Sequence, residues 1–180
     1  MIYDAIIIGG GRSGLAKGIE LQGGGVRCLI FSTGEGAGRF RDPSYDHKSL
    51  VRRFEALGGT YVMGDTVTGG VFSEDGSLLS IHTANQGDTS FSAARYYIAT
   101  GSFFSKGLVA DKDRIYEPLF NLDVDAPAAR EEWVNPDFFA DQPFMHFGVT
   151  VDDDGCPCRG GKSVKNLFAI GSILGDGSRK

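Results

Sequence analysis

The chain contains little of what marks membrane proteins, nucleic-acid-binding proteins or disulfide-bonded secreted proteins. No apolar run approaches the roughly 18 residues that are needed to cross a bilayer. Lys and Arg number 18 against 23 Asp and Glu, which gives a formal charge of −5 and predicts no nucleic-acid partner. Cysteine occurs only 3 times, an odd number, so the sequence favours a reducing compartment over a disulfide framework.

The amino terminus also lacks the basic stretch that opens a secretory signal peptide. Asp4 stands directly before the apolar run AIII, and no Lys or Arg precedes it. The 180 residues, of which 41% are hydrophobic, suffice for one buried core. We therefore expect a single domain over residues 1–180, located in the cytoplasm.

Glycine, by contrast, is abundant: the 27 glycines are about twice the number that a usual frequency of roughly 7% predicts. The first cluster follows a short apolar run in AIIIGGGRSG and forms the pattern G-x-G-x-x-G with Gly9, Gly11 and Gly14. In a dinucleotide-binding fold the first glycine permits a tight turn and the second lets the backbone approach a pyrophosphate. The third allows a helix to pack closely on the strand, and the free N–H groups of that helix favour the phosphates.

The surroundings of this pattern are those of a βαβ unit. Apolar residues predict a helix over residues 13–22 and a second buried strand over residues 26–31. An acidic residue at the end of that strand ordinarily binds the ribose, but Ser32 stands there, 18 positions after Gly14, and Thr33 follows. A hydroxyl binds ribose more weakly than a carboxylate does. We predict a Rossmann-like parallel sheet with Ser32 and Thr33 facing the ribose.

The middle of the chain has a different pattern. A helix capped by Asp46 is predicted over residues 46–57. Short β-prone runs then alternate with turns predicted at residues 69–70, 74–76 and 85–88, an arrangement typical of an antiparallel meander. We therefore expect an antiparallel β-meander in addition to the parallel sheet.

Two later apolar strands each end in glycine followed by serine, in YYIATGS and NLFAIGS. Their order resembles that of the two-dinucleotide-binding flavoproteins, in which a meander leading to an ATG strand and a late strand of this kind complete the FAD site. The resemblance implies that Thr100, Gly101, Gly171 and Ser172 line the later parts of the flavin site. An NAD-binding domain is a less favoured alternative, since it has no reason to show this order.

Longer stretches resemble the B subunit of anaerobic glycerol-3-phosphate dehydrogenase. They are DAIIIGGGRSGLAKGIELQ near the amino terminus and IATGSFFSKGLVA, EPLFNLDV, DFFADQPFMHFGVTVD and NLFAIGSILG in the second half. The resemblance implies an α/β Rossmann-like FAD-binding domain with a parallel sheet and an antiparallel meander, and FAD as cofactor with FMN as the alternative. Together with the glycine pattern it predicts these cofactor-binding residues: Gly9, Gly10, Gly11, Ser13, Gly14, Ser32, Thr33, Thr100, Gly101, Gly171 and Ser172.

The same family implies a respiratory oxidoreductase that converts glycerol 3-phosphate to dihydroxyacetone phosphate and delivers electrons to quinone. The implied partners are a larger catalytic flavoprotein subunit and a membrane-anchoring iron–sulfur subunit, through which the chain would associate peripherally with the membrane. No catalytic residue can be assigned from the sequence. The sequence predicts no metal site either, because Cys156 and Cys158 lack further ligands nearby.

Members of this family are longer than the present chain. We interpret GEGAG, within residues 34–45, as replacing an excised insertion, and LGDGSRK as a shortened carboxyl terminus. A natural short loop in a complete small protein is the alternative interpretation. The absent ribose acid and the absent terminal helix also leave open a cofactor-free structural or assembly domain that binds a partner through its Rossmann core.

Overall fold

The computed structural model of the chain describes residues 3–34 and 44–176, and its helices and strands are numbered in chain order. They are β1 (Tyr3–Ile8), α1 (Arg12–Gly23), β2 (Cys28–Ser32), α2 (His47–Ala56), β3 (Thr60–Met63), β4 (Val67–Phe72), β5 (Leu78–Thr83), β6 (Ser90–Phe91), β7 (Ala93–Ile98), β8 (Val109–Ala110), β9 (Ile115–Tyr116), β10 (Val124–Asp125), β11 (Gly148–Val149), β12 (Cys158–Arg159), β13 (Lys162–Ser163) and β14 (Leu167–Ala169). Most of the interval 34–45 and the last residues of the chain lie outside the described residues, so the predicted excision and the shortened carboxyl terminus stay predictions.

Five strands form a parallel sheet in the order β14-β7-β1-β2-β3. This is a doubly wound order: along the chain, the strands are added from β1 outward to β2 and β3 on one side, and then to β7 and β14 on the other. The direction reverses between β1 and β7, and the carboxyl ends of these strands leave a crevice there. The prediction of a Rossmann-like parallel sheet is confirmed.

The two faces of this sheet bury alternate residues of each strand, because successive side chains of a strand point to opposite sides. In β1, Ile6 and Ile8 belong to the apolar cluster that includes the meander residues Leu78 and Ile81. Ile7 belongs to the opposite cluster, which packs against the helices. The sheet is therefore sandwiched between an antiparallel layer and a helical layer.

The antiparallel layer is the three-stranded meander β4-β5-β6. The turns predicted at residues 74–76 and 85–88 are confirmed, but the turn predicted at residues 69–70 is wrong. Gly69 and Gly70 lie inside β4, where they pair with β5. A Cβ on Gly70 would lie 2.6 Å from Leu78 Cδ1, so this glycine permits close packing within the layer and makes no turn.

Both predicted helices of the helical layer are present. The N-cap prediction for α2 is confirmed, because Asp46 Oδ1 accepts a hydrogen bond from the Ser49 backbone N–H at 3.1 Å. In α1, Gly18 allows the helix to approach the sheet, since an added Cβ would lie 2.6 Å from Ile30 Cδ1. This close approach fixes the start of α1 against the carboxyl end of the sheet.

Candidate functional site

Two positions where β1 passes into α1 admit only glycine, one in the turn and one in the first turn of the helix. Gly9 has a φ of 109°, and a Cβ there would lie 2.3 Å from the carbonyl oxygen of Ala99, which follows β7. A Cβ on Gly14 would lie 1.9 Å from the Gly9 carbonyl oxygen, so α1 rests directly on the turn. The Gly9 N–H donates to the Phe31 carbonyl at 2.9 Å, which ties the turn to β2 as well. Three neighbouring strands therefore hold the loop in place.

Gly11, in contrast, faces open space. No heavy atom of the described residues lies within 4 Å of the position that its Cβ would occupy, and its carbonyl accepts the first helical hydrogen bond of α1 from the Leu15 N–H at 2.9 Å. This helix has no side-chain cap and no acidic residue in its first turn. Its free N–H groups and its partial positive charge are therefore available to an anion.

A cleft of about 990 Å³ opens beside this loop, at the carboxyl end of the sheet. That volume lies at the upper end of the ~300–1,000 Å³ usual for cofactor sites. The predicted site residues that line it come from separate parts of the chain, and they are Gly9, Gly10, Gly11, Ser13, Ser32, Thr33, Thr100, Gly101 and Ser172. Gly14 and Gly171 lie behind the lining, and a Cβ on Gly171 would lie 2.4 Å from Ser13 Oγ. The fold thus brings the glycine loop and both later glycine motifs to one place.

Thr100 supplies a test of whether this cleft suits a polar cofactor. Its Oγ1 is buried and has no hydrogen-bond partner among the residues that the structure describes. Burying a hydroxyl without a partner is unfavourable, so native proteins nearly always satisfy such a group. A polar group bound in the cleft would satisfy it, and the residues present therefore fit a dinucleotide cofactor.

At the end of β2, the Ser32 hydroxyl already has hydrogen-bond partners within the protein. Ser32 is buried, and its Oγ donates to the Gly34 carbonyl at 2.6 Å and accepts from the Gly34 N–H at 3.3 Å. The hydroxyl thereby stabilises the loop that follows the strand. Thr33 is exposed and lines the cleft next to it. A contact of either residue with a ribose stays a prediction.

Four charged residues that the motifs did not single out also line the cleft: Arg12, Asp65, Lys106 and Glu117. Asp65 is buried, which opposes ionisation, but the pKa of its carboxyl is still lowered because hydrogen bonds outweigh burial. One of these bonds comes from the Asn85 backbone N–H at 3.1 Å. Asp65 lies two residues after the end of β3, and that position just beyond the carboxyl end of a strand was the signal that could have identified it.

Glu117 is the other buried carboxyl of the cleft. Its oxygens accept backbone N–H groups of Leu119 at 2.9 Å and of Phe120 at 2.8 Å. Burial raises the pKa of Glu117, and these hydrogen bonds only partly oppose the rise. The sequence around Glu117 does not show that this glutamate is buried, because its burial depends on the fold.

Two features are absent from residues 3–34 and 44–176. No three His, Cys, Asp or Glu side chains in these ranges are grouped so that they could hold a metal ion. No helix in the same ranges combines the length and the apolar character needed to cross a membrane.

Comparison with known proteins gives the following matches. The family model of FAD-binding domains matches residues 39–179. The B subunit of anaerobic glycerol-3-phosphate dehydrogenase from Yersinia pestis bv. Antiqua (strain Antiqua) is 42% identical over 129 residues, which are 72% of this chain and 30% of the relative. The protein of the same name from Vibrio vulnificus (strain CMCP6) is 43% identical over 129 residues, 71% of this chain and again 30% of the relative. The chain therefore spans less than a third of the length of these relatives.

The solved structures that match this chain are less similar in sequence than these relatives. THI4 of Thermovibrio ammonificans is 18% identical with a TM-score of 0.47, over 56% of this chain and 58% of its own. A thioredoxin reductase from Gloeobacter violaceus is also 18% identical with a TM-score of 0.47, over 56% of this chain and 37% of its own.

Proposed function

The chain belongs to the family of FAD-binding domains, and from that premise we propose that it is the flavin-binding part of an enzyme that oxidises glycerol 3-phosphate to dihydroxyacetone phosphate. The family match over residues 39–179 confirms FAD as the predicted cofactor and favours it over FMN. The observation that carries the proposed activity is the identity of 42% over 129 residues with the B subunit of anaerobic glycerol-3-phosphate dehydrogenase. That identity also confirms the resemblance predicted from the sequence motifs.

Different residues around the cleft would bind different parts of the cofactor. The backbone N–H groups at Gly11 and Ser13 would bind the pyrophosphate, because they begin a helix whose first turn is uncapped. Thr100 Oγ1 would hydrogen-bond a polar group of the cofactor, and Gly101 lets it approach the end of β7. When bound, FAD supplies the two-electron acceptor that oxidation of an alcohol requires. The chain itself would supply position, orientation and exclusion of water.

Cationic side chains at the cleft support a phosphorylated substrate or cofactor. Arg12 and Lys106 both line it, and each can donate charge-assisted hydrogen bonds to phosphate oxygens. The Arg12 guanidinium also lies over the Tyr45 ring, 5.9 Å from its centroid, which restricts where that group can point. The carboxyls of Asp65 and Glu117 accept backbone N–H groups, so these two side chains already have donors of their own.

The proposal extends to an assembly, because the relatives are named as one subunit of a dehydrogenase. The chain would act with a larger catalytic flavoprotein subunit and a membrane-anchoring iron–sulfur subunit, and it would reach the membrane surface only through them. Co-purification of this chain with tagged partner subunits, followed by transfer of electrons to a quinone, tests this part. A chain that is recovered free of both partners contradicts it.

The first experiment is the visible absorption spectrum of the freshly purified chain, repeated after FAD or FMN has been added and the excess removed by gel filtration. We expect a retained flavin band with FAD and a weaker one with FMN. Anaerobic addition of glycerol 3-phosphate in the presence of the partner subunits should then bleach the band. Glycerol, which lacks the phosphate, is the matched control and should leave it unchanged. A band that glycerol 3-phosphate does not bleach contradicts the proposed substrate.

A cofactor-free assembly domain was the main alternative, and the family match disfavours it. The two possibilities differ in one observation. An assembly domain stays colourless after incubation with FAD but still binds its partner, whereas a flavin domain keeps its colour. Selective binding of NADH would instead favour the nicotinamide alternative.

A further inference from the structure

A buried histidine lies directly behind the glycine loop. His47 begins α2, where a side chain is ordinarily exposed, yet it is only 6% exposed. Its Nδ1 lies 3.0 Å from the Tyr45 hydroxyl, and its Nε2 lies 3.2 Å from the Tyr61 hydroxyl. The Tyr61 hydroxyl in turn donates to the Gly10 carbonyl oxygen at 3.1 Å. A continuous series of hydrogen bonds thus runs from α2 through β3 to the loop.

The direction of each bond follows from the donors available. A carbonyl oxygen only accepts, so the Tyr61 proton is donated to Gly10, and the Tyr61 oxygen accepts from Nε2–H of His47. A neutral imidazole protonated at Nε2 leaves Nδ1 as an acceptor for the Tyr45 hydroxyl. Bonds in such a series polarise one another, which strengthens the last bond to the loop.

That last bond fixes the orientation of one peptide group. The Gly10–Gly11 peptide is trans, so its C=O and its N–H point in opposite directions. The Gly10 oxygen points to Tyr61, which is not part of the cleft lining, whereas Gly11 is. The Gly11 N–H therefore points to the side of the loop opposite Tyr61. The space on the Tyr61 side is also filled, since a Cβ on Gly10 would lie 2.4 Å from the Tyr61 oxygen.

We propose that Tyr61 and His47 are positioning residues for the cofactor pyrophosphate: they hold the Gly10 carbonyl behind the loop so that the Gly11 N–H is presented to the cleft. The role rests on FAD binding, which the family match supports, and is independent of the glycerol 3-phosphate activity. Neither residue touches the cofactor in this arrangement. Their effect is confined to the orientation of one donor.

The substitution Tyr61→Phe removes the hydroxyl and keeps the ring. Tyr97→Phe is the matched control. Tyr97 belongs to the same apolar cluster as Tyr61 and stacks on Phe168 with ring centroids 5.3 Å apart, and in the described residues no hydrogen bond joins its hydroxyl to the Gly10 carbonyl. Binding of FAD, ADP and adenosine is measured by calorimetry on the full chain. We expect Tyr61→Phe to weaken FAD and ADP roughly tenfold, as the loss of one oriented donor predicts, and to leave adenosine, which has no pyrophosphate, unchanged. Tyr97→Phe should leave all three affinities unchanged.

A second pair of variants separates the hydrogen bond from simple packing. His47→Gln keeps an N–H donor for Tyr61, whereas His47→Leu removes it, so we expect Gln to retain ADP affinity and Leu to lose it. The amide signal of Gly11 in a proton–nitrogen NMR spectrum should move downfield when ADP binds to the wild-type chain and move less in His47→Leu. This readout also decides the case if Tyr61→Phe does not fold.

Unchanged ADP affinity in Tyr61→Phe, or equal losses for ADP and adenosine, would overturn the positioning role, since only packing would then be involved. Equal ADP affinities of His47→Gln and His47→Leu would overturn it as well. A wild-type chain that binds none of the three compounds overturns the flavin site itself. Binding of FAD without bleaching by glycerol 3-phosphate contradicts only the proposed activity and leaves the positioning role standing.

Discussion

The glycine loop with its strands and the segment 102–147 that follows β7 are stabilised in different ways. In the first region the side chains of β1 from Ala5 to Ile8 are at most 4% exposed, and parallel pairing to β2 and β7 satisfies the backbone. The segment 102–147 has only two-residue strands and short 3₁₀ turns in its own backbone. It also contains a loop in which Phe138 and Phe139 are 84% and 93% exposed.

Individual side-chain bonds replace the sheet in that second region. Trp133 is buried, and its Nε1 donates to the Pro127 carbonyl at 2.8 Å. The Gln142 amide accepts from the Asn135 N–H at 2.9 Å and donates to the Asp137 carbonyl at 2.9 Å. Each such bond contributes only about 1 kcal/mol to the free energy of unfolding. The glycine loop and its strands therefore depend on close backbone packing, whereas the irregular segment 102–147 depends on a few hydrogen bonds of individual side chains.

A substitution at Gly14 is expected to change the free energy of unfolding most, and it tests the close packing around the glycine loop. Gly14→Ala places a methyl group 1.9 Å from the Gly9 carbonyl oxygen, so α1 has to move away from the turn. We expect the free energy of unfolding to fall by about 3 kcal/mol, as overpacking does in other cores. The retained flavin should be lost as well. Urea denaturation and the visible spectrum measure the two effects.

Gly11→Ala is the control for that prediction. Its φ of −76° suits any residue, and within residues 3–34 and 44–176 no heavy atom lies within 4 Å of the new Cβ. We expect its free energy of unfolding to stay within about 0.5 kcal/mol of the wild type, while FAD binding weakens because the methyl group enters the cleft. Equal destabilisation by the two substitutions would remove the distinction between packing and binding glycines.

The same contrast explains what the sequence could predict. The pattern Gly9, Gly11 and Gly14 is local, and so are the apolar runs of β1 and β2 and the Asp46 cap, because each depends on neighbours within one turn or one strand. The placement of the late motifs in the same cleft followed only from their resemblance to flavoproteins. Local patterns and family resemblance together predicted the sheet, the meander and the glycine-motif part of the cleft lining, but none of its four charged residues.

Residues whose role depends on distant partners were not predictable in this way. His47 reaches Gly10 only through Tyr61, which lies on a strand that follows the helix. Gly70 resembles a turn residue in sequence, but the packing of Leu78 against it decides its conformation. A single sequence does not show such contacts, because their partners are brought close only by the fold.

An intermediate effect is expected at Glu117, which tests whether the irregular segment depends on buried acceptors. Glu117→Ala leaves the N–H groups of Leu119 and Phe120 without their acceptor, and we expect a loss of about 2 kcal/mol in the free energy of unfolding. Glu117→Gln keeps one acceptor oxygen and should lose less. Equal losses in the two variants would show that the hydrogen bonds contribute little.

Glu117 also predicts a dependence on pH. Burial raises the pKa of this carboxyl in the folded chain above its ordinary value of 4.5, so the folded state binds the proton more tightly than the unfolded state. Its contribution to stability is therefore fully present below pH 4.5 and is lost as the pH rises through the raised pKa. Urea denaturation at several pH values should show this loss in the wild type and not in Glu117→Gln. A wild-type curve parallel to that of the variant would contradict the assignment.

The smallest change in the free energy of unfolding is expected at Lys106. This residue and Asn121 both lie in the irregular segment and both have positive φ angles. Lys106 has a φ of 62° and Asn121 a φ of 54°, but asparagine tolerates this region far better than lysine does. Lys106→Gly should therefore raise the free energy of unfolding by about 0.5 kcal/mol, and Asn121→Gly should leave it nearly unchanged. Equal effects in urea denaturation would mean that the strain is not specific to lysine. Because the Lys106 side chain also lines the cleft, Lys106→Gly removes an ammonium group from it, so we expect a weaker affinity for FAD alongside the gain in stability.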